Sequence, residues 1–280
     1  MQTLTTVTEL RALVREWKRD GQRVGFVPTM GNLHAGHHAL IGIAKQHADR
    51  TVASVFVNPT QFGPNEDFAR YPRTIGADAE GLAAQGCDAL FAPTVDEMYP
   101  EGVEQAVVVC VPGITTLLDG AHRPGHFDGV ATVVCRLFNM VQPDVAVFGQ
   151  KDYQQLQVIR HLVRDLAFPI ELVSAPTVRD EDGLALSSRN QYLSVSERVI
   201  APTIPRTLLA MRFAARGRQP LAMIEADAIR RLTAAGFVVD YAVILRADLA
   251  APAPDERGGL VGLIAARLGQ TRLIDNMLLD

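Results

Sequence analysis

The chain has 280 residues, 48% hydrophobic and 21% charged, with a formal net charge of -4 and a pI near 6.0. That length can bury one large core or two smaller ones, and the composition is that of an ordinary globular protein. The acidic balance excludes a general nucleic-acid binder, which carries a basic surplus, and no apolar run approaches the roughly 20 residues of a membrane span.

Residues 9–19 place Leu10, Leu13, Val14 and Trp17 on one helical face, and Gly21 stops that helix. A short strand over residues 23–30 is followed by a helix over 33–48. Residues 50–57 form a nearly continuous β-branched run, as in a strand buried on both faces. The pattern then predicts a helix over 74–85, strands over 89–92 and 104–111, and a helix over 129–141. A strand over 144–148, a helix over 153–167 and a strand over 170–178 complete this part. Such alternation predicts an α/β fold, a Rossmann-like parallel sheet with helices on both faces. Ligands of such sheets bind beyond the carboxyl ends of the strands, near a switch in strand order. The turns after Val27, Val57, Phe148 and Val178 are therefore the expected seat of function.

Beyond about residue 180 the pattern changes. Helices are predicted over 195–216, with Pro202 and Pro205 starting or kinking the first, and over 221–235. Strands follow over 238–245, 260–267 and 271–274, around a loop at 250–259. The expected domains are residues 1–178, binding nucleotide and carboxylate substrate, and residues 179–280, a smaller α+β domain covering the active site. Cys87, Cys110 and Cys135 lie in apolar stretches with no CxxC spacing, which predicts buried reduced thiols. With no basic and apolar leader at the N-terminus, the expected location is the cytoplasm.

Four segments carry chemistry. In Met30-Gly31-Asn32-Leu33-His34-Ala35-Gly36-His37, between a strand and a helix, the two histidines share one face of the first turn and Gly36 allows close backbone approach. Free N–H groups and the helix dipole make the start an anion site, and the imidazoles can donate to phosphoryl oxygens. No third ligand accompanies them, so metal ligation is not expected; His38 is expected to be structural or exposed. Asn58 and Gln61, after the second strand, suit a substrate with hydroxyl and carboxylate groups. In Gly149-Gln150-Lys151-Asp152, Lys151 is one of only three lysines and suits a triphosphate. Asp152 suits ribose hydroxyls, and Gln155 suits the acyl substrate. Leu186-Ser187-Ser188-Arg189 sets two hydroxyls beside an Arg, a phosphate-binding loop. The histidine motif alone does not choose between a ligase and a nucleotidyltransferase that leaves a nucleotide on its substrate.

These segments, with Phe56-Val57-Asn58-Pro59-Thr60-Gln61-Phe62, Arg70-Tyr71-Pro72-Arg73-Thr74, Arg123-Pro124-Gly125-His126-Phe127 and Thr271-Arg272-Leu273-Ile274-Asp275-Asn276, resemble the pantothenate synthetases over nearly the whole chain. The HxGH segment is shared with the wider adenylating nucleotidyltransferase superfamily. The resemblance implies ATP-dependent condensation of pantoate with β-alanine through pantoyl adenylate. It implies that Met30 to His37, Gly149, Gln150, Lys151, Asp152, Val178, Leu186, Ser187, Ser188 and Arg189 bind ATP. His37 would act as proton donor, with His34, Lys151, Ser187, Ser188 and Arg189 sharing in catalysis. Gln61 and Gln155 would hold pantoate, with Asn58 at the same substrate site. It also implies Mg2+ carried by the nucleotide and a homodimer. Pro205, inside a predicted helix, and Asp128, an added negative charge near the presumed pantoate site, depart from the family pattern.

Overall fold

The computed structural model describes residues 1–64, 66, 68–253 and 255–280. Contacts divide the chain into two compact units, Met1–Gln150 with Val158–Pro176, and Lys151–Gln157 with Thr177–Asp280. The sequence sets the boundary at 178/179; the contact division falls two residues earlier and also groups residues 151–157 with the second unit.

The first unit begins with β1 (Gln2–Leu4) and α1 (Val7–Arg19). A reciprocal cap between Thr6 and Glu9 starts α1, and Leu10, Val14 and Trp17 are its buried stripe. There follow β2 (Val24–Thr29), α2 (Ala35–His47), β3 (Arg50–Val55), α3 (Ile75–Ala84), β4 (Ala89–Phe91), α4 (Val95–Met98), α5 (Asp119–His122) and α6 (His126–Val141). β5 (Val145–Gly149), α7 (Tyr153–Asp165), which belongs to this unit only from Val158 on, and β6 (Glu171–Ala175) follow. All pairings in this sheet are parallel, in the order β1-β4-β3-β2-β5-β6.

Helices cover both faces. On β2, Phe26 meets Phe138 of α6 with ring centroids 6.4 Å apart. A Cβ on its neighbour Gly25 would lie 3.1 Å from Ala48 and 3.4 Å from Ala44 at the end of α2. Successive strand residues point to opposite faces, so α2 and α6 lie on opposite sides. Val27, Ile41, Ala44, Ala53, Leu90 and Val147, all fully buried, belong to the core on the α2 side.

The chain builds outward from β2 to β3 and β4, then returns to the other side of β2 with β5, so strand order switches between β2 and β5. β2 pairs with β3 over six residues, but with β5 only at Gly25 and Phe26. The carboxyl halves of β2 and β5 therefore run on unpaired with each other, at the place where the switch-point rule puts a ligand.

In the second unit, α8 (Val195–Ile200), α9 (Thr203–Arg216) and α10 (Leu221–Ala234) precede β7 (Val238–Arg246), β8 (Leu260–Leu268) and β9 (Thr271–Leu278). The strands form an antiparallel sheet in chain order. Its apolar side, with Ala242, Ile244, Ile264 and Leu273, shares a core with Leu208, Met211, Ala228 and Leu232 of α9 and α10.

Several sequence expectations need correction. Residues 104–111 form no strand; a 3-10 turn at Val103–Gln105 leads into irregular chain. Val107 and Val108 are 76% and 62% exposed, so the β-branched run has no surface against which its propensity counts. β1 escapes notice because it is three residues long. The strand at 170–178 ends at Ala175, before Pro176, which has no N–H for a ladder. The helix at 195–216 is two helices broken at Pro202. Pro205 lies in the first turn of α9, where its missing N–H costs no helical bond. β9 runs on to Leu278, beyond the expected 274. Of the cysteines only Cys87 is buried; Cys135 is partly buried and Cys110 exposed.

Candidate active site

α2 starts just beyond the carboxyl end of β2. His34 is the N-cap, and the two imidazoles build a reciprocal cap. The Gly36 N–H donates to His34 Nδ1 at 3.1 Å, and the His34 N–H donates to His37 Nδ1 at 3.3 Å. A nitrogen that accepts carries no hydrogen, so each neutral ring bears its proton on Nε2. The rings lie 4.2 Å apart between centroids. The pair is thus held by the local backbone geometry of the helix start. It also spends part of what the sequence offers to an anion, since the Gly36 and His34 amides are already bonded.

The loop before the pair is held by Asp78 of α3, only 3% exposed. Its Oδ2 accepts from the Asn32 N–H at 3.1 Å and the Thr74 hydroxyl at 3.1 Å, and its Oδ1 from the Leu33 N–H at 2.8 Å. Gly31 and Asn32 have φ of +86° and +51°, the region that favours Gly and Asn. A Cβ on Gly31 would lie 2.9 Å from Asp78 Oδ2. Asn32 and Leu33 thus help shape the site, with their amides turned to Asp78. His38 packs against α3 at Gly81.

After β3 the 3-10 turn Pro59–Gln61 presents Gln61. Asn58, 1% exposed, organises it. Asn58 Oδ1 accepts from the Tyr99 hydroxyl at 2.8 Å and the Thr60 hydroxyl at 3.0 Å, and Nδ2 donates to Gln61 Oε1 at 3.1 Å and the Gly129 carbonyl at 3.2 Å. Its polar atoms bond within the protein and hold Gln61 in place. Among the described residues Gln61 Nε2 meets the Met30 thioether at 3.1 Å, a weak acceptor, which leaves amide donor capacity for a substrate oxygen.

The Gln61 backbone is pinned as well. His126 Nδ1 lies 2.8 Å from the Gln61 carbonyl and Nε2 lies 2.9 Å from Arg123 Nη1. A carbonyl only accepts and a guanidinium only donates, so Nδ1–H donates to Gln61 and Nε2 accepts from Arg123. Burial, then the Arg123 charge, lowers the His126 pKa from 6.5 to about 4. Arg123 also makes a bidentate pair with Glu66, with Nε to Oε1 and Nη2 to Oε2 both at 2.6 Å. Burial raises the Glu66 pKa, but the Arg123 bonds and charge outweigh it, so the carboxyl lies below its ordinary value. Asp128, in the first turn of α6, faces the Cys110 thiol.

In the second unit, Lys151 is mostly buried, its Nζ 3.7 Å from Asp152 Oδ1. Gln155 is partly exposed, between the buried Gln154 and Gln157. The Leu186 N–H donates to the Val178 carbonyl at 2.9 Å, joining two expected nucleotide segments in one short hairpin. Ser187 caps the 3-10 turn Ser188–Tyr192, its Oγ accepting from the Arg189 N–H at 3.3 Å. Leu186, Ser187, Ser188 and Arg189 are all partly exposed. Gly149 and Gln150, at the end of β5 in the first unit, are partly exposed too.

Sequence reasoning singles out the histidine pair and Gln61 in the first unit and the hairpin loop in the second, but misses Asp78, Tyr99 and Glu66. Arg123 and His126 are visible in it only as parts of a motif without a role. An acidic residue at an inward position of the apolar helix Ile75–Ala84 is the one signal that points to Asp78.

The model of the pantoate-beta-alanine ligase family matches residues 2–278. A pantothenate synthetase of Xanthomonas axonopodis pv. citri is 61% identical over 277 residues, 99% of each chain, and one of Stenotrophomonas maltophilia matches equally well. The crystal structure of pantothenate synthetase from Thermus thermophilus superposes with a TM-score of 0.94 at 52% identity, covering 100% of this chain and 99% of that one. A pantoate-beta-alanine ligase from Francisella tularensis, complexed with beta-gamma ATP and beta-alanine, gives a TM-score of 0.83 at 33% identity, covering 100% and 98%. The chain belongs to the pantoate-beta-alanine ligase family.

Proposed function

We propose that this chain condenses (R)-pantoate with β-alanine at the expense of ATP, giving pantothenate, a coenzyme A precursor, with AMP and pyrophosphate. A pantoate carboxylate oxygen attacks the α-phosphorus and the bond to pyrophosphate breaks. The β-alanine amine then attacks the acyl carbon of pantoyl adenylate, AMP leaves, and the amine gives up its proton. No protein nucleophile is required, so positioning and charge stabilisation carry the rate.

In this reading the segment from Met30 to His37, with Gly149 and Gln150, binds ATP in the first unit. Lys151, Asp152, Val178, Leu186, Ser187, Ser188 and Arg189 bind it in the second. His34 and His37 donate from Nε2 to phosphoryl oxygens, His37 to the departing pyrophosphate. Gln61, aimed by Asn58, and Gln155 hold pantoate. Among the described residues no group of three His, Cys, Asp or Glu side chains could hold a metal ion. The donor set is rich in N–H groups, and Asp152 is its one carboxylate, which fits a Mg2+ that arrives on the phosphates and neutralises their charge. The free cysteines suit a reducing, cytoplasmic setting. The exposed Val107 and Val108 favour a homodimer, checked by light scattering with Val108→Asp.

The observation that carries the reading is the reciprocally capped imidazole pair at the start of the helix that follows β2, beside the β2–β5 switch in strand order. The test is pantoate-dependent exchange of labelled pyrophosphate into ATP without β-alanine. Folded protein that shows no exchange excludes the two-step reaction. His37→Ala should lower kcat about 10²-fold or more with little change in pantoate KM, because its bond strengthens as charge moves to the leaving group. An equal loss in both removes that role.

A further inference from the structure

The segment Thr271–Asn276 stands far along the chain from every residue given a role above, yet its last two side chains reach into the expected nucleotide segments of the second unit. Asp275 is 4% exposed and Asn276 is 4% exposed. Both sit on β9, in register with Ile264 and Leu263 of β8, so an antiparallel ladder fixes where they point.

Asp275 accepts from Arg179 through both oxygens, Oδ2 from Nη1 at 2.6 Å and Oδ1 from Nη2 at 2.9 Å. Arg179 also donates to the Gly183 carbonyl at 3.0 Å and the Asn276 carbonyl at 3.4 Å. It lies on one arm of the hairpin that joins Val178 to Leu186, opposite Ala185. The Asp180 N–H donates to the Leu184 carbonyl at 2.8 Å to close that hairpin. The bidentate pair therefore anchors the arm paired with the one that leads into Ser187, Ser188 and Arg189. Asn276 Nδ2 donates to the Lys151 carbonyl at 2.8 Å. Two consecutive residues of one strand thus hold the Ser-Ser-Arg loop and the lysine.

We propose that Asp275 and Asn276 are positioning residues for adenylation: they fix the hairpin through Arg179 and Lys151 through its carbonyl, and so set the spacing of the cationic groups that meet the nucleotide phosphates. The proposal rests on the reading that Lys151 and Leu186, Ser187, Ser188 and Arg189 bind ATP. A displaced ammonium loses electrostatic contact without any loss of charge, so the expected signature is weaker ATP use with an unchanged acyl-substrate site.

The test is the pyrophosphate exchange assay on the full chain with Asn276→Ala, Lys151→Ala and the double variant, with thermal unfolding of each. Asn276→Ala should raise the ATP KM or lower the exchange rate about tenfold, the effect of one lost buried hydrogen bond, with pantoate KM within about twofold. In the Lys151→Ala background most of that effect should vanish, because once the ammonium is gone its placement no longer matters; the double variant should match Lys151→Ala alone. Additive losses, or an Asn276→Ala protein with lower thermal stability but wild-type ATP KM and exchange, overturn the proposal. If Asn276→Ala does not fold, Asn276→Ser, too short to reach the carbonyl, carries the same comparison. Wild-type protein without exchange overturns the underlying reading as well, whereas wild-type exchange without coupling overturns only the positioning role.

Discussion

The two units hold their functional side chains in opposite ways. In the first, the key contacts are short in sequence: His34 and His37 cap each other three residues apart, and Asn58 aims Gln61 across the same interval. In the second, Arg179 depends on Asp275, 96 residues away, and the Lys151 carbonyl on Asn276, 125 residues away. The first site joins these local contacts to charge in the Arg123–Glu66 pair and in Asp78. The second is held by a buried ion pair on a distant strand. Local polar caps survive wherever their own helix or turn forms, whereas the second arrangement exists only when the whole antiparallel sheet is in register.

The largest expected effect tests that dependence. Arg179→Ala leaves Asp275, whose side chain is 2% exposed, buried without its counter-charge. Removing one partner of a buried pair costs about 3–5 kcal/mol, so urea unfolding should show a loss of that order. Arg179→Ala with Asp275→Ala should recover a good part of it, since no orphaned charge remains. A loss below about 1 kcal/mol in the single variant would mean that the pair is solvated and that the contrast between the units is smaller than drawn.

A smaller effect belongs to the first unit. His126 is held neutral, its pKa near 4 in the folded chain against 6.5 when free. Below pH 6.5 the unfolded chain binds a proton that the folded chain refuses. Stability from this group is therefore complete above about pH 6.5 and falls as pH drops towards 4, by at most about 3 kcal/mol. Glu66, with its lowered pKa, adds its loss at still lower pH. Urea midpoints at pH 8, 6.5 and 5 should show the slope, and His126→Gln should remove it between pH 6.5 and 5. The same slope in the variant would assign the proton to another group.

What was legible in the sequence follows the same division. The parallel sheet shows in alternating periodicities, and the histidine pair shows because both residues and the glycine between them lie within one turn. Gln61 and the Ser-Ser-Arg loop show because strand ends are where ligands of such sheets collect. The support for these residues was not legible. Nothing adjacent in sequence says that Asp78 faces the Asn32 and Leu33 amides, or that Asn276 meets the Lys151 carbonyl. Residues 104–111 failed for a related reason. Val107, Val108 and Val109 have the composition of a strand, but a strand needs a neighbour, and local pattern does not say whether one is there.

The smallest expected effect concerns Asp78, where the first unit does rely on a distant group. The carboxylate has two acceptor oxygens and serves three donors, the Asn32 and Leu33 amides and the Thr74 hydroxyl. In Asp78→Asn one oxygen becomes an NH2 that must face an N–H or turn away. One loop amide then loses its partner, at about 1–2 kcal/mol. The loop runs directly into the His34 cap, so the loss should appear partly as stability and partly as a severalfold rise in ATP KM, with pantoate KM unchanged. Asp78→Asn should leave the separation of effects between the units intact: double-variant cycles with Asn276→Ala should be additive in stability. Strong coupling between them would show that the local and the distant supports act on one shared structural element.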